Sequence, residues 1–169
     1  KLSEGSEILE IGFGNGAFLE YARQRNWNVY GTEANETLVE IAKENGFNVF
    51  HVTDLAGFED DSFDLVVAFD VLEHIPQDIL PTMMLEIKRI LKNDGLFVAK
   101  FPNGDSPFGL VNQNGDVTHV TAIGSGKIQY FAAKAGMWII FVGGSAYPVL
   151  AGSILQFIHR VISLSIKKI

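Results

Sequence analysis

A chain of 169 residues, 47% hydrophobic and 20% charged, suits one globular domain with a sizeable core. Its formal net charge of -7 argues against a broad nucleic-acid footprint, which needs clustered Lys and Arg. The lack of cysteine excludes disulfides, thiolate metal sites and a cysteine nucleophile, and leaves the redox compartment open.

Lys1 is not an initiator methionine, which is expected of a fragment or a processed product, and the start shows no signal-peptide pattern. The first element is the apolar run Ile8-Leu9-Glu10-Ile11, a buried strand over 7–12. It breaks into Gly12, Gly14 and Gly16, with Phe13 between the first two, and resumes as a helix over 16–25. Alternate glycines let the backbone turn sharply and approach a ligand, with helix amides facing it. Strands follow at 28–33 and 48–52, around a helix over 35–45 that Asn35 is placed to cap. A strand over 63–69 leads to a helix over 78–91 with Pro81 in its first turn, then to a strand over 95–101. Gly46, Gly95 and Gly136 each stand where a left-handed residue ends a helix, and a helix over 125–135 precedes a sixth strand over 138–142. Residues 102–124 read as one long irregular loop, a length that is often functional. Strands alternating with helices predict an α/β fold, a Rossmann-like, doubly wound, mainly parallel sheet with helices on both faces.

The spacing G-x-G-x-G differs from the dinucleotide fingerprint G-x-G-x-x-G. Glu33 closes the second strand about 20 residues on, where a carboxylate can accept from both hydroxyls of a ribose. Asp54 follows the third strand, placed to accept from an adenine amino group. The fourth strand, Phe63-Asp64-Leu65-Val66-Val67-Ala68-Phe69, runs into Asp70-Val71-Leu72-Glu73-His74, and Leu91-Lys92-Asn93-Asp94-Gly95 leads into the fifth.

In this order the segments resemble the class I S-adenosylmethionine-dependent methyltransferases, and Val71-Leu72-Glu73-His74 is similar to their ubiquinone-biosynthesis-like small-molecule branch. The resemblance implies that Glu10, Gly12, Phe13, Gly14 and Gly16 wrap the methionine end of S-adenosylmethionine. It places Glu33 on the ribose, Ala34 and Leu55 beside the adenine, Asp54 on its amino group, and Phe69 and Asp70 beside the methyl. S-adenosylhomocysteine is the implied product, and no metal is expected.

A base is needed only where the acceptor must lose a proton, and His74, just beyond the fourth strand, is the first candidate, with bracing of the next helix as the alternative. His119 either faces the acceptor or orders its own loop. Glu73 is expected to cap a helix or pair with an arginine, Asp64 to be structural, His51 to be a satisfied core histidine and Glu59-Asp60-Asp61 to be a solvated turn. Ile123-Gly124-Ser125-Gly126 stands where related enzymes carry Phe-Thr-Pro, and the family's seventh strand has no evident counterpart.

The organisation expected is a methyltransferase domain over 1–148 and an amphipathic helix over 149–169, too polar on one face to span a bilayer. That helix docks on the domain or a second copy, or lies on a membrane surface. The expected activity is O-methylation of a small-molecule, glycan or lipid-linked acceptor, in the cytoplasm or at the membrane periphery, with no nucleic-acid partner. The alternatives are an inactive cofactor-binding domain serving an assembly and a nicotinamide-dependent oxidoreductase.

Overall fold

Strand β1 (Glu7–Ile11) is the centre of the sheet, with Ile8 and Leu9 fully buried. In the computed structural model of the chain, residues 2–52, 54–106 and 110–143 are described, and the helix expected over 149–169 lies outside them. After α1 (Ala17–Arg23), β2 (Asn28–Glu33) pairs in parallel with β1, and after α2 (Glu36–Glu44), β3 (Asn48–His51) pairs in parallel with β2. The chain then crosses to the other side of β1 as β4 (Phe63–Phe69), and α3 (Leu80–Ile90) leads to β5 (Leu91–Lys100). The order β3-β2-β1-β4-β5, all parallel, is the doubly wound sheet predicted. Right-handed crossovers running left through α1 and α2 and right through α3 put these helices on opposite faces.

Local signals explain several boundaries. Asn35 accepts hydrogen bonds from the amides of Thr37 (3.0 Å) and Leu38 (3.4 Å), a cap that contributes about 1 kcal/mol. Gly46 closes α2 with bonds from Gly46 to Lys43 and Phe47 to Ala42, and Gly136 closes α5 (Ser125–Lys134) the same way.

Gly95 does not end a helix as expected. β5 already starts at Leu91, which pairs with Phe63, and the register then shifts so that Leu65 faces Leu96. A Cβ on Gly95 would lie 2.9 Å from the Lys92 carbonyl and 3.0 Å from that of Phe63, so this glycine permits close backbone approach. The sixth strand is also absent: residues 137–143 are irregular with one bend, and Trp138, Ile140 and Phe141 are exposed. Strand propensity there finds no ladder partner among the described residues. The expected long loop carries a short helix, α4 (Leu110–Asn114), and an Asn103–Ile123 bridge. Contacts divide the chain into the units Lys1–Met137 and Trp138–Ile169.

Asp64 is structural as read: it accepts from the Glu7 amide at 2.8 Å and pairs with Lys92 at 2.8 Å. His51 is not a core histidine. It is exposed at the end of the outer strand β3, and its Nε2 lies 2.8 Å from the Ala34 carbonyl.

Candidate active site

In an open parallel sheet the crevice lies beyond the carboxyl ends of the strands, where strand order reverses. Here that point lies between β1 and β4. The glycine loop leaves β1 at this crevice with Gly12, Gly14 and Gly16 all at positive φ (66°, 53° and 74°). A Cβ on Gly12 would strike Val71 Cγ2 at 2.6 Å, whereas one on Gly14 would enter open space. Gly12 is therefore fixed by packing, while the space beside the Gly14 Cα is open to a ligand. Phe13 turns inward to the core, where Gly31 makes room for its ring, so it offers a ligand backbone only.

Glu33, half-buried at the end of β2, accepts from the Gly14 amide at 3.0 Å, joining the strand end to the loop. Its other oxygen accepts from Ala34 (2.9 Å) and Asn35 (3.0 Å). A carboxylate has about four lone-pair sites, so Glu33 keeps one to offer a ribose. His51 holds the Ala34 carbonyl beside it.

Beyond β3, Asp54 is exposed and accepts from the Ala56 amide at 3.1 Å, while Leu55 is buried. Arg89 of α3, which the sequence reading missed, holds this loop from below. It donates to the carbonyls of Leu55 (3.0 Å) and Phe58 (2.8 Å) and pairs with Asp60 (2.7 Å) and Glu86 (2.8 Å). The acidic turn is thus anchored at Asp60 rather than wholly solvated.

Glu10, near the end of β1, is 4% exposed, and its Oε2 has no hydrogen-bond partner. Burial pushes its pKa up to about 8, against a hydrogen bond with Leu19, and Glu33 adds to the rise. A cationic ligand beside that oxygen would remove the penalty.

The β4 end supplies Phe69, edge-on to Phe18 at 5.5 Å, and exposed Asp70 at φ 54°, which pairs with Lys100 at the end of β5. A 3-10 turn, Leu72–His74, follows. His74 is exposed, and its Nδ1 lies 3.2 Å from the Thr118 carbonyl and 3.0 Å from Thr118 Oγ1. That hydroxyl donates to Asp116 at 2.6 Å, so its oxygen is left to accept. Both partners being acceptors, Nδ1 carries the proton and Nε2 keeps a free lone pair.

His119 meets His74 edge-on at 4.7 Å, and its Nδ1 lies 3.2 Å from the Gln113 carbonyl, which fixes the same tautomer. Its Nε2 stands 4.0 Å from Oε1 of Glu73. Glu73 neither caps a helix nor meets an arginine as expected. It is 1% exposed, neither carboxylate oxygen has a hydrogen-bond partner, and burial raises its pKa. Only its backbone carbonyl is used, accepting from Val120 (2.9 Å) and Thr121 (3.0 Å). Where related enzymes have Phe-Thr-Pro, Asp105 Oδ2 instead caps α5, accepting from the Ser125 amide and hydroxyl at 2.6 Å each.

The structure thus brings Gly14, Glu33 and Ala34 together at the ends of β1 and β2, and Glu73, His74 and His119 together beyond β4. The residues fit S-adenosylmethionine: a buried Glu10 oxygen without a partner for an ammonium, open space beside Gly14 and a spare acceptor on Glu33.

A family described as "Methyltransferase domain" matches residues 9–99. The ribosomal protein L11 methyltransferase of Dictyoglomus turgidum is 30% identical over 103 residues, 57% of this chain and 33% of that protein. The ubiquinone biosynthesis O-methyltransferase of Hahella chejuensis is 27% identical over 118 residues, 65% and 45% of the two chains. The chain spans a third to a half of these relatives. A SAM-dependent methyltransferase structure from Archaeoglobus fulgidus is similar in fold, with a TM-score of 0.74 at 22% identity over 97% of this chain and 79% of that one. A putative methyltransferase of Haloferax volcanii, in complex with the Trm112 activator, gives 0.69 at 18% identity over 92% and 72%. With the family match covering the glycine loop, Glu33, Asp54 and the fourth strand, the chain belongs to the methyltransferase domain family, whose cofactor is S-adenosylmethionine.

Proposed function

We propose that this chain transfers a methyl group from S-adenosylmethionine to an oxygen of a small-molecule, glycan or lipid-linked acceptor. The observation that carries the reading is the glycine loop joined to Glu33 across the crevice, with the buried Oε2 of Glu10 unpartnered near the end of β1. Gly12, the Phe13 backbone, Gly14 and Gly16 hold the methionine end, with the Glu10 carboxylate facing its ammonium. Glu33 accepts from the ribose, Asp54 from the adenine amino group, and Ala34 and Leu55 flank the base. Phe69 and Asp70 line the approach to the methyl.

The bound cofactor supplies an electrophilic methyl on a sulfonium and leaves as S-adenosylhomocysteine. The protein's main contribution is orientation: holding the acceptor in line behind the methyl lowers the barrier by about 7 to 11 kcal/mol. Oxygen is favoured because the acceptor end presents two imidazoles with free Nε2 atoms. His74 takes the hydroxyl proton on Nε2 as the oxygen forms its bond to the methyl carbon, and Thr118 and Asp116 steady the imidazolium from Nδ1. His119 orients the acceptor. A lipid-linked acceptor would be met at a membrane surface, a role suited to the amphipathic pattern of residues 149–169. Among the described residues no helix is long and apolar enough to cross a membrane.

The test is calorimetry with S-adenosylmethionine and NADH, followed by methyl transfer to pooled phenolic, glycan and lipid acceptors. The first ligand alone should bind, and His74→Ala should lower kcat about 100-fold or more with cofactor affinity retained. Preferential NADH binding would overturn the reading. Cofactor binding without turnover would favour an inactive domain serving an assembly.

A further inference from the structure

We propose that Glu73, His74 and His119 form a binding site for one divalent transition-metal cation of the zinc class. The case is a match between donors and their surroundings. His74 and His119 each turn Nδ1 to a backbone carbonyl, at 3.2 Å in both, which leaves both Nε2 lone pairs free. Metal-bound histidines are held in this way, with the second ring N–H fixed on a carbonyl or carboxylate. Glu73, next to His74 on the same turn, is 1% exposed, with neither oxygen meeting a donor.

Two lone-pair donors, Glu73 Oε1 and His119 Nε2, face each other at 4.0 Å, with Asp116 Oδ2 3.9 Å from the same nitrogen on its exposed side. With both Nδ1 atoms protonated, no neutral-ring proton lies between them. One ligand atom from each of the three residues lies within 4.8 Å of the others. Ligands at about 2.1 Å from zinc are roughly 3.4 Å apart in a tetrahedron, so closure by about 1.4 Å at most completes the set. His74 is exposed and on a short turn, and a rotation of its ring supplies that movement. Two imidazoles and a carboxylate favour zinc, iron, cobalt or nickel over magnesium or calcium, which prefer oxygen alone.

The site departs from the expectation of a metal-free enzyme. Three protein ligands leave a coordination position open, as catalytic zinc sites do, and an acceptor hydroxyl filling it would be acidified by the cation and lose its proton to solvent, in place of transfer to His74 Nε2. That last consequence rests on the methyltransferase reading. Cation binding does not.

The test is titration of the metal-stripped full chain with Co2+, followed by visible absorption, then displacement by Zn2+. One equivalent should produce ligand-field bands that Zn2+ abolishes. His74→Ala, which alters an exposed side chain, and His119→Ala should each weaken binding at least tenfold, and Glu73→Gln should do the same while nearly keeping shape. Circular dichroism checks that each variant is folded. No bands at stoichiometric Co2+, or unchanged affinity in folded His74→Ala and His119→Ala, would overturn the site and leave a shared proton between Glu73 and His119. Calorimetry with S-adenosylmethionine on the same samples reads the cofactor site independently, so either reading can fail alone.

Discussion

Burial of Glu10 at the end of β1 makes folding change its proton affinity, from an ordinary carboxylate near 4.5 to about 8. Between those values the folded chain holds a proton that the unfolded chain has released. Stability in that window therefore falls as pH rises, and the full penalty is present above the folded value. Without cofactor, the urea midpoint should decline from pH 5 to pH 8. Glu10→Gln, neutral throughout, should flatten that slope and be more stable at pH 8 by about 2 kcal/mol or more. An identical slope in the variant would mean that Glu10 is not the group responsible. The same side chain links stability to function: an ammonium beside its orphaned oxygen makes the ionised form favourable again, so cofactor binding should release a proton near neutral pH.

Among the elements, α3 and the loop after β3 depend on each other through Arg89. A partly buried guanidinium that donates to the carbonyls of Leu55 and Phe58 sets the path of the loop carrying Asp54 and Leu55. Charge-assisted bonds of this kind contribute about 1.5 to 3 kcal/mol each. Arg89→Met keeps the aliphatic stem and removes the donors. It should weaken S-adenosylmethionine binding by about threefold to tenfold, with kcat at saturation unchanged, since nothing at the acceptor end moves. A fall in kcat with cofactor affinity intact would refute this assignment in steady-state kinetics. Arg89 also shows what the sequence could not reveal. β1 and β4 were legible because continuous apolar runs have one good solution in a parallel sheet, and α2 was legible because Asn35 and Gly46 act within their own turns. The start of β5 was not, because Leu91 joins it by pairing with Phe63, a tertiary contact. At the site, Gly12 and Asp54 follow strand ends and Glu33 closes one, so all three could be placed by counting. The Asp105 cap on Ser125 and the meeting of Glu73 with His119 depend on loop paths that no local pattern encodes. Residues 138–142 have strand-like composition without a ladder.

At the scale of the molecule, the proposed cofactor contacts come from four strand ends, those of β1, β2, β3 and β4, all within the unit Lys1–Met137. A ligand that bridges them binds the folded state alone, because unfolding disperses the ends. Its stabilisation then follows mass action, about 2.7 kcal/mol at a concentration 100 times Kd. For a chain of this size 1 kcal/mol moves Tm by about 2 to 4 °C, so the shift should be about 5 to 10 °C. S-adenosylhomocysteine is the better probe, since it cannot react during the scan. Scanning calorimetry of the full chain should show Tm rising with the logarithm of its concentration, and NADH should leave Tm unmoved. In Glu33→Ala the shift at the same concentration should shrink severalfold, because both the ribose acceptor and the tie to Gly14 are gone. If Tm is insensitive to S-adenosylhomocysteine at millimolar concentration, the crevice between β1 and β4 does not bind this cofactor, and the roles given to Glu10, Glu33 and Asp54 fall together.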